Sequence, residues 1–208
     1  MKQQEPLEFD EKTHRYFRGD QERVGLTTLL RSYFGTSKYY TQRGRELGSA
    51  LHLACQFLAE DTLDWDTLEP EIVEQAKAYR RFIQETGFFP QILEAPYHSM
   101  EIDVATKPDQ VGLMMGRLSV VEIKRGAVLK QYELQTAGQK IILKDNDVDV
   151  QDRYGLYLKK NGKYSLEKHP NDFQDEDYFR ILAKAYHEPD FAEYAKDQIK
   201  TIQNIYGG

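Results

Sequence analysis

This 208-residue chain has a single cysteine, Cys55, so it can form no disulfide within one molecule and cannot supply the roughly four thiolates that an iron–sulfur cluster ordinarily takes. Long apolar runs are missing as well. Leu113 to Val121 is among the most apolar stretches, and Gly116 and Arg117 interrupt it, far short of the roughly 20 residues of a membrane span. Met1-Lys2-Gln3-Gln4-Glu5-Pro6 lacks the apolar core of a secretory signal, so the expected location is a reducing cytoplasm with no membrane contact. No glycine-rich phosphate loop is present, which argues against an enzyme acting on small phosphate compounds. There is no fixed-period repeat and no long Ser/Gly/Pro tract, so residues 1–208 are expected to form a single domain.

An excess of positive charge is also lacking. The net charge of -6 and pI near 5.5 exclude a protein that coats nucleic acid with a uniformly basic surface. The charge is unevenly spread, however. Residues 117–144 carry six Lys/Arg against two acids, whereas residues 56–103 carry eleven acids against three bases. A basic strip beside a carboxylate cluster could hold phosphate while the rest of the surface repels it, although acids that merely solvate surface helices explain the second segment equally well.

Hydrophobic periodicity predicts a small hairpin around Arg18-Gly19-Asp20-Gln21, then a helix over Thr41 to Leu58 and another over Pro70 to Thr86 stopped by Gly87. From Pro90 the period becomes that of extended chain. Gln91 to His98, Glu101 to Met115 with a bend at Pro108, and Leu118 to Lys124 are predicted as a three-stranded meander. A helix over Lys130 to Leu143 follows, then a hairpin of Tyr154 to Leu158 with Tyr164 to Glu167 turning at Asn161-Gly162. A helix from about Asp175 to Tyr186 and one more within Phe191 to Tyr206 close the chain. Together these predict a mixed sheet with helices packed on it.

The chemistry concentrates at Lys107-Pro108-Asp109 and Glu122-Ile123-Lys124, whose two acids are separated by twelve residues. A turn at Met115-Gly116 pairs residues whose numbers sum to 231 and sets Asp109 opposite Glu122. Side chains alternate along a strand, so Glu122 and Lys124 share one face while Val121 and Ile123 take the other. Two acids facing each other across a strand pair repel, which the fold can offset by raising one pKa or by binding a cation, a divalent ion being the simpler remedy. Oxygen ligands suit Mg2+ or Mn2+, and Lys124 could orient or activate a water or hold the charge of a phosphate under attack. An isolated Glu-x-Lys is usually an exposed ion pair. Here it closes the apolar run Leu118-Ser119-Val120-Val121, where unpaired charge is expensive.

These residues resemble the PD-(D/E)XK nuclease superfamily, in particular its RecB-like and phage exonuclease branch. Pro108-Asp109 and Glu122-Ile123-Lys124 match literally, Gly44 to His52 looks like the helix that brings a histidine to the metal, and Tyr132 to Gly138 looks like the glutamine helix after the lysine strand. The resemblance covers roughly residues 9–158. It implies an α/β fold with a restriction-endonuclease-like core: a central mixed sheet with an antiparallel meander flanked by helices, with residues 1–40 and 151–208 as additions. It also implies a magnesium- or manganese-dependent deoxyribonuclease, an exonuclease before an endonuclease, working in phage or bacterial DNA recombination, repair or degradation.

Carried over by position, the metal ligands are His52, Asp109, Glu122 and the Ile123 main-chain carbonyl, with Lys124 serving the nucleophile. Glu94 is the additional acid, assisting the site or a second metal, and Gln135 orients the lysine or the DNA backbone. Arg125, Lys130 and Lys107 are the candidates for contact with nucleic acid. The chain departs from the pattern at Lys107, where the family has glycine, and at Gln139, where it often has tyrosine. Lys107 must therefore turn away from the substrate path or touch phosphate itself. The resemblance gives no chemistry to the N-terminal His14-Arg15-Tyr16. Tyr33, Phe34, Tyr39 and Tyr40 could stack on bases but more often such residues cover a core, and His14, His98, His169 and His187 have no ligand spacing, so all eight stay outside the candidate set. The partner is DNA, with room for a homo-oligomer or a recombination partner protein. The rival expectation is a DNA-binding or assembly protein that keeps this fold without catalysis; intact Asp109, Glu122 and Lys124 speak against it.

Overall fold

A computed structural model describes residues 5–35, 41–171 and 173–207, which leaves Tyr39 and Tyr40 outside the described residues. Three short strands, β1 (Leu7–Asp10), β2 (Arg15–Arg18) and β3 (Gln21–Gly25), open the chain. The hairpin expected at Gly19-Asp20 joins β2 to β3, and β1 adds a second hairpin before it. Helices α1 (Leu26–Phe34), α2 (Gln42–Ala59) and α3 (Val73–Thr86) follow. Thr41 caps α2 by accepting from the Gly44 N–H at 3.0 Å, and Gly87 ends α3 in the left-handed region at φ 64°. Helix α3 begins three residues after Pro70, because Pro70 to Ile72 form a turn.

The extended segment differs from the expected meander in one respect. It contains β4 (Phe89–Leu93), β5 (Tyr97–Ser99), β6 (Val104–Thr106), β7 (Gln110–Met114) and β8 (Arg117–Lys124), so the first and second expected strands are each divided. The divisions fall at Pro96 and at Lys107-Pro108. Proline has no N–H for a ladder and restricts the residue before it, so the chain changes sheets at these points. Strands β1-β2-β3-β6-β5 form one five-stranded sheet. The other has the order β10-β9-β8-β7-β4, where β9 is Asp152–Leu158 and β10 is Tyr164–Lys168. The antiparallel meander β4-β7-β8 thus sits inside a mixed sheet whose β8–β9 pair is parallel, linked by the crossover helix α4 (Gln131–Lys144). The β9–β10 hairpin turns at Asn161-Gly162 as expected. The closing segment forms α5 (Phe173–His187), then α6 (Pro189–Tyr194) and α7 (Lys196–Tyr206), two helices where one was expected because the chain breaks at Ala195.

Alternation on β8 sorts the layers. Val121 and Ile123 pack with Leu47, Leu51 and Cys55 of α2 and with Tyr79 and Phe82 of α3, whereas Glu122 faces α4 on the other side. A second core joins α1, α4, α5 and α7 through Leu29, Leu134, Ile141, Phe179 and Ile202. Phe34 and Tyr33 pack against this core, and the Tyr33 hydroxyl donates to the Leu182 carbonyl at 2.9 Å. At Gly112 β7 lies tight against β4: a Cβ there would run into the Phe89 carbonyl oxygen and the Pro90 Cα. Both obstacles are backbone. Gly112→Ala should therefore push β4 outward and lower the stability by about 1–3 kcal/mol, read as a fall in the urea midpoint; an unchanged midpoint would contradict this packing.

Candidate active site

The site lies at the end of the second sheet, where α2 reaches over from one face and α4 from the other. Asp109 immediately precedes β7, and the β7–β8 ladder pairs Gln110 with Val121 and Met114 with Arg117, both in the register that sums to 231. Met115 and Gly116 close this hairpin with φ of 52° and 74°. Asp109 is buried there. Its Oδ2 accepts from the Ile123 N–H at 2.6 Å, and its Oδ1 lies 3.0 Å from His52 Nδ1.

His52 comes from the middle of α2, one position beyond Leu51 on the stripe that packs on the sheet. Its Nδ1 is 3.8 Å from Glu94 Oε1. Glu94 follows β4 with φ of 49°, a left-handed conformation that carries strain for a residue with a Cβ, and its N–H donates to the Asp109 carbonyl at 3.2 Å. Among the described residues, His52, Glu94 and Asp109 form the His/Cys/Asp/Glu group able to hold a metal ion, with one ligand atom from each lying within 4.8 Å of the others. Glu122 lies outside this triplet.

Glu122 instead belongs to an adjoining set of partners. Its Oε1 accepts from Lys124 Nζ at 2.7 Å and from Gln135 Nε2 at 2.5 Å, and its Oε2 accepts from Gln139 Nε2 at 2.7 Å. Gln135 and Gln139 stand one turn apart on α4 and are both buried. Sequence reasoning missed Gln139, which it met as a missing tyrosine. A second glutamine four residues after the first, on a helix otherwise apolar toward the sheet, was the available signal. The Lys124 ammonium also sits over the Tyr132 ring, 4.5 Å from its centroid.

Burial and the Glu122 charge push the Asp109 carboxyl up to about 6, against the opposing pull of His52. Burial alone would lower His52, but the charge and hydrogen bond of Asp109 and the contact with Glu94 outweigh it and carry the imidazole up to about 10. Burial would likewise raise Glu94, yet its bonds to His52 and Lys107 hold it below the usual carboxylate range. Lys124 is raised despite burial because Glu122 and Asp109 face it. Tyr16 on β2 is raised too, by burial and then by Glu122, Glu94, Glu11 and Asp109.

The basic candidates divide. Lys107, with its side chain 16% exposed, is turned to Glu94 Oε2 at 3.0 Å and Glu11 Oε1 at 2.9 Å. Arg125 donates to Gln75 Oε1 at 2.9 Å beside the end of β8, and Lys130, just before α4, is 3.1 Å from Glu133.

No family model matches this sequence, and no curated protein matches it. Among solved structures, a putative exonuclease from Eubacterium rectale superposes with a TM-score of 0.52 at 10% identity, over 81% of this chain and 79% of that one. An alkaline exonuclease from Laribacter hongkongensis gives a TM-score of 0.44 at 15% identity, over 85% of this chain and 90% of that one. The first likeness establishes a shared mixed α/β fold.

Proposed function

We propose that this chain is a metal-dependent nuclease of the PD-(D/E)XK superfamily, in its RecB-like and phage exonuclease branch, that hydrolyses DNA phosphodiesters and works from ends before internal sites. The observation that carries this reading is the convergence of His52, Glu94 and Asp109 within 4.8 Å beside a lysine held on the same strand end as Glu122. One imidazole nitrogen and two carboxylates fit a divalent cation with nitrogen and oxygen ligands, Mg2+ or Mn2+. His52, Asp109 and Glu94 would hold the ion, with Glu122 and the Ile123 carbonyl beside it. Bound there, it would polarise the phosphoryl oxygen and lower the pKa of a coordinated water.

The protein's own groups have separable tasks. Lys124 is raised, so at neutral pH it carries its proton and acts as a fixed positive charge against the phosphate under attack, not as a base. Glu122 aims that ammonium, and Gln135 and Gln139 fix Glu122. Arg125 and Lys130 would contact the DNA backbone. The chain acts as one nuclease domain, in a cytoplasm and in DNA recombination, repair or degradation. Among the described residues no helix is long and apolar enough to cross a membrane.

End-labelled linear DNA and closed circular DNA incubated with Mg2+, with EDTA and with Lys124→Ala test this. Linear DNA should be digested with Mg2+ only, and Lys124→Ala should be slower by about 10²–10³-fold. Binding without cleavage in Mg2+ and Mn2+ alike would instead make the chain a DNA-binding or assembly protein on a nuclease fold.

Metal affinity should depend on pH with a definite sign. A bound ion needs His52 neutral, and the imidazole keeps its proton up to about 10, so proton and metal compete across the neutral range. Mn2+ affinity by calorimetry should rise up to about tenfold per pH unit between about pH 7 and 9, with proton release on binding; a flat profile would contradict the assignment. The metal-free protein should show the converse linkage. Because the folded His52 is raised from 6.5 to about 10, its ion pair with Asp109, complete only above about 6 where that carboxyl is ionised, is lost as pH rises toward 10.

A further inference from the structure

We infer that Lys107 occupies the place of a second cation, so that this site takes one divalent ion and completes its charge balance with a resident ammonium. The inference rests on the metal-dependent reading above. Sites that use two ions hold them about 3.5–4 Å apart, bridged by carboxylates, so the second ion needs oxygens that the first leaves free. Here most of those oxygens already carry a donor, which a second ion would have to displace or share. Glu94 presents Oε1 toward His52 and Oε2 to Lys107 Nζ at 3.0 Å. Asp109 commits Oδ2 to the Ile123 N–H at 2.6 Å. Glu122 carries three donors, Lys124 and Gln135 on Oε1 and Gln139 on Oε2. Glu11, the remaining acid, is bound to Lys107 at 2.9 Å.

The ammonium is also fixed in place. Its stem is largely covered, its Nζ lies 4.6 Å from the centroid of the Phe9 ring, and Glu11 and Glu94 grip it from two sides. Formal charge favours a single ion as well. Glu11, Glu94, Asp109 and Glu122 against Lys107 and Lys124 leave two negative charges once His52 is neutral, which one divalent ion cancels. A second ion would leave an equal positive excess beside the buried Asp109 and Glu122. The lysine therefore supplies, on the far side of Glu94 from His52, the positive charge that a second metal would otherwise bring. N-terminal β1 and its turn provide the Phe9 and Glu11 that hold it.

Counting bound Mn2+ per chain tests this, by calorimetry and by the electron paramagnetic resonance signal of the free ion, on the full chain without DNA. The wild type should bind one Mn2+. Lys107→Ala, and Lys107→Met, which keeps the stem on Phe9 and removes only the charge, should bind a second, more weakly. Two ions on the wild type, or one ion still on both folded variants, would overturn the proposal. No Mn2+ on the wild type, or a count unchanged by Asp109→Ala, would overturn the metal-dependent reading itself and this inference with it.

Discussion

Asp109→Asn should abolish cleavage, by about 10²–10³-fold or more, and cost less stability than Asp109→Ala. The two halves of that expectation have one cause. Asp109 is buried, faces Glu122 and is pushed up to about 6, so at neutral pH the folded protein holds its ionised form at a cost. Asparagine removes the charge and keeps the shape. Its Oδ1 can still accept from the Ile123 N–H that Asp109 Oδ2 accepts at 2.6 Å, and its amide can donate to His52 Nδ1 once the imidazole is neutral. What it cannot supply is an anionic ligand. Asp109→Ala should be as inactive but also less stable, by about 1–3 kcal/mol, because the buried Ile123 N–H then has no acceptor. Melting curves beside a digestion assay separate the two variants; an active Asp109→Asn would remove Asp109 from the chemistry.

Asp175→Ala should be the most destabilising single change away from the site. Arg153 is fully buried in β9 and donates to Asp175 Oδ2 at 2.7 Å and to the Glu133 carbonyl at 2.6 Å, while the Asp175 carboxylate also accepts from the Tyr206 hydroxyl. One ion pair therefore ties β9, α4, α5 and α7 together. Removing the carboxylate strands a guanidinium in the core, which costs about 3–5 kcal/mol and should lower the melting temperature by about 6–20 °C in a chain of this size. Replacing both partners, as Arg153→Met with Asp175→Leu, should restore most of the loss, since no uncompensated charge remains. A single variant that melts with the wild type would show that the pair contributes little.

The parts of this fold that local physics determines were legible in the sequence. The β7–β8 register follows from a turn at Met115-Gly116, and the ladder adopts it. The Gly87 stop, the Asn161-Gly162 hairpin and the helix that became α4 were legible for the same reason. The change of sheet at Lys107-Pro108 was not, because an extended pattern runs through it and the partner that captures β6 is β3, some eighty residues earlier. Nor was the left-handed turn at Glu94, which places that acid beside His52 and rests on its N–H bond to the Asp109 carbonyl. Gln139 illustrates a different loss: compared with a family pattern it was an absence, whereas packed against Glu122 it is a donor. His169, set aside for want of ligand spacing, is a core residue 2.8 Å from the Thr136 hydroxyl and pushed down to about 4 by burial and Arg153.

An anomalous-difference map from crystals of the wild-type chain grown with Mn2+ bears on the central claim most directly, because it locates the ion without reference to activity. The account predicts one peak, within coordinating distance of His52, Asp109 and Glu94. A map with no peak there, or with Mn2+ held only by other acids of the chain, would contradict it.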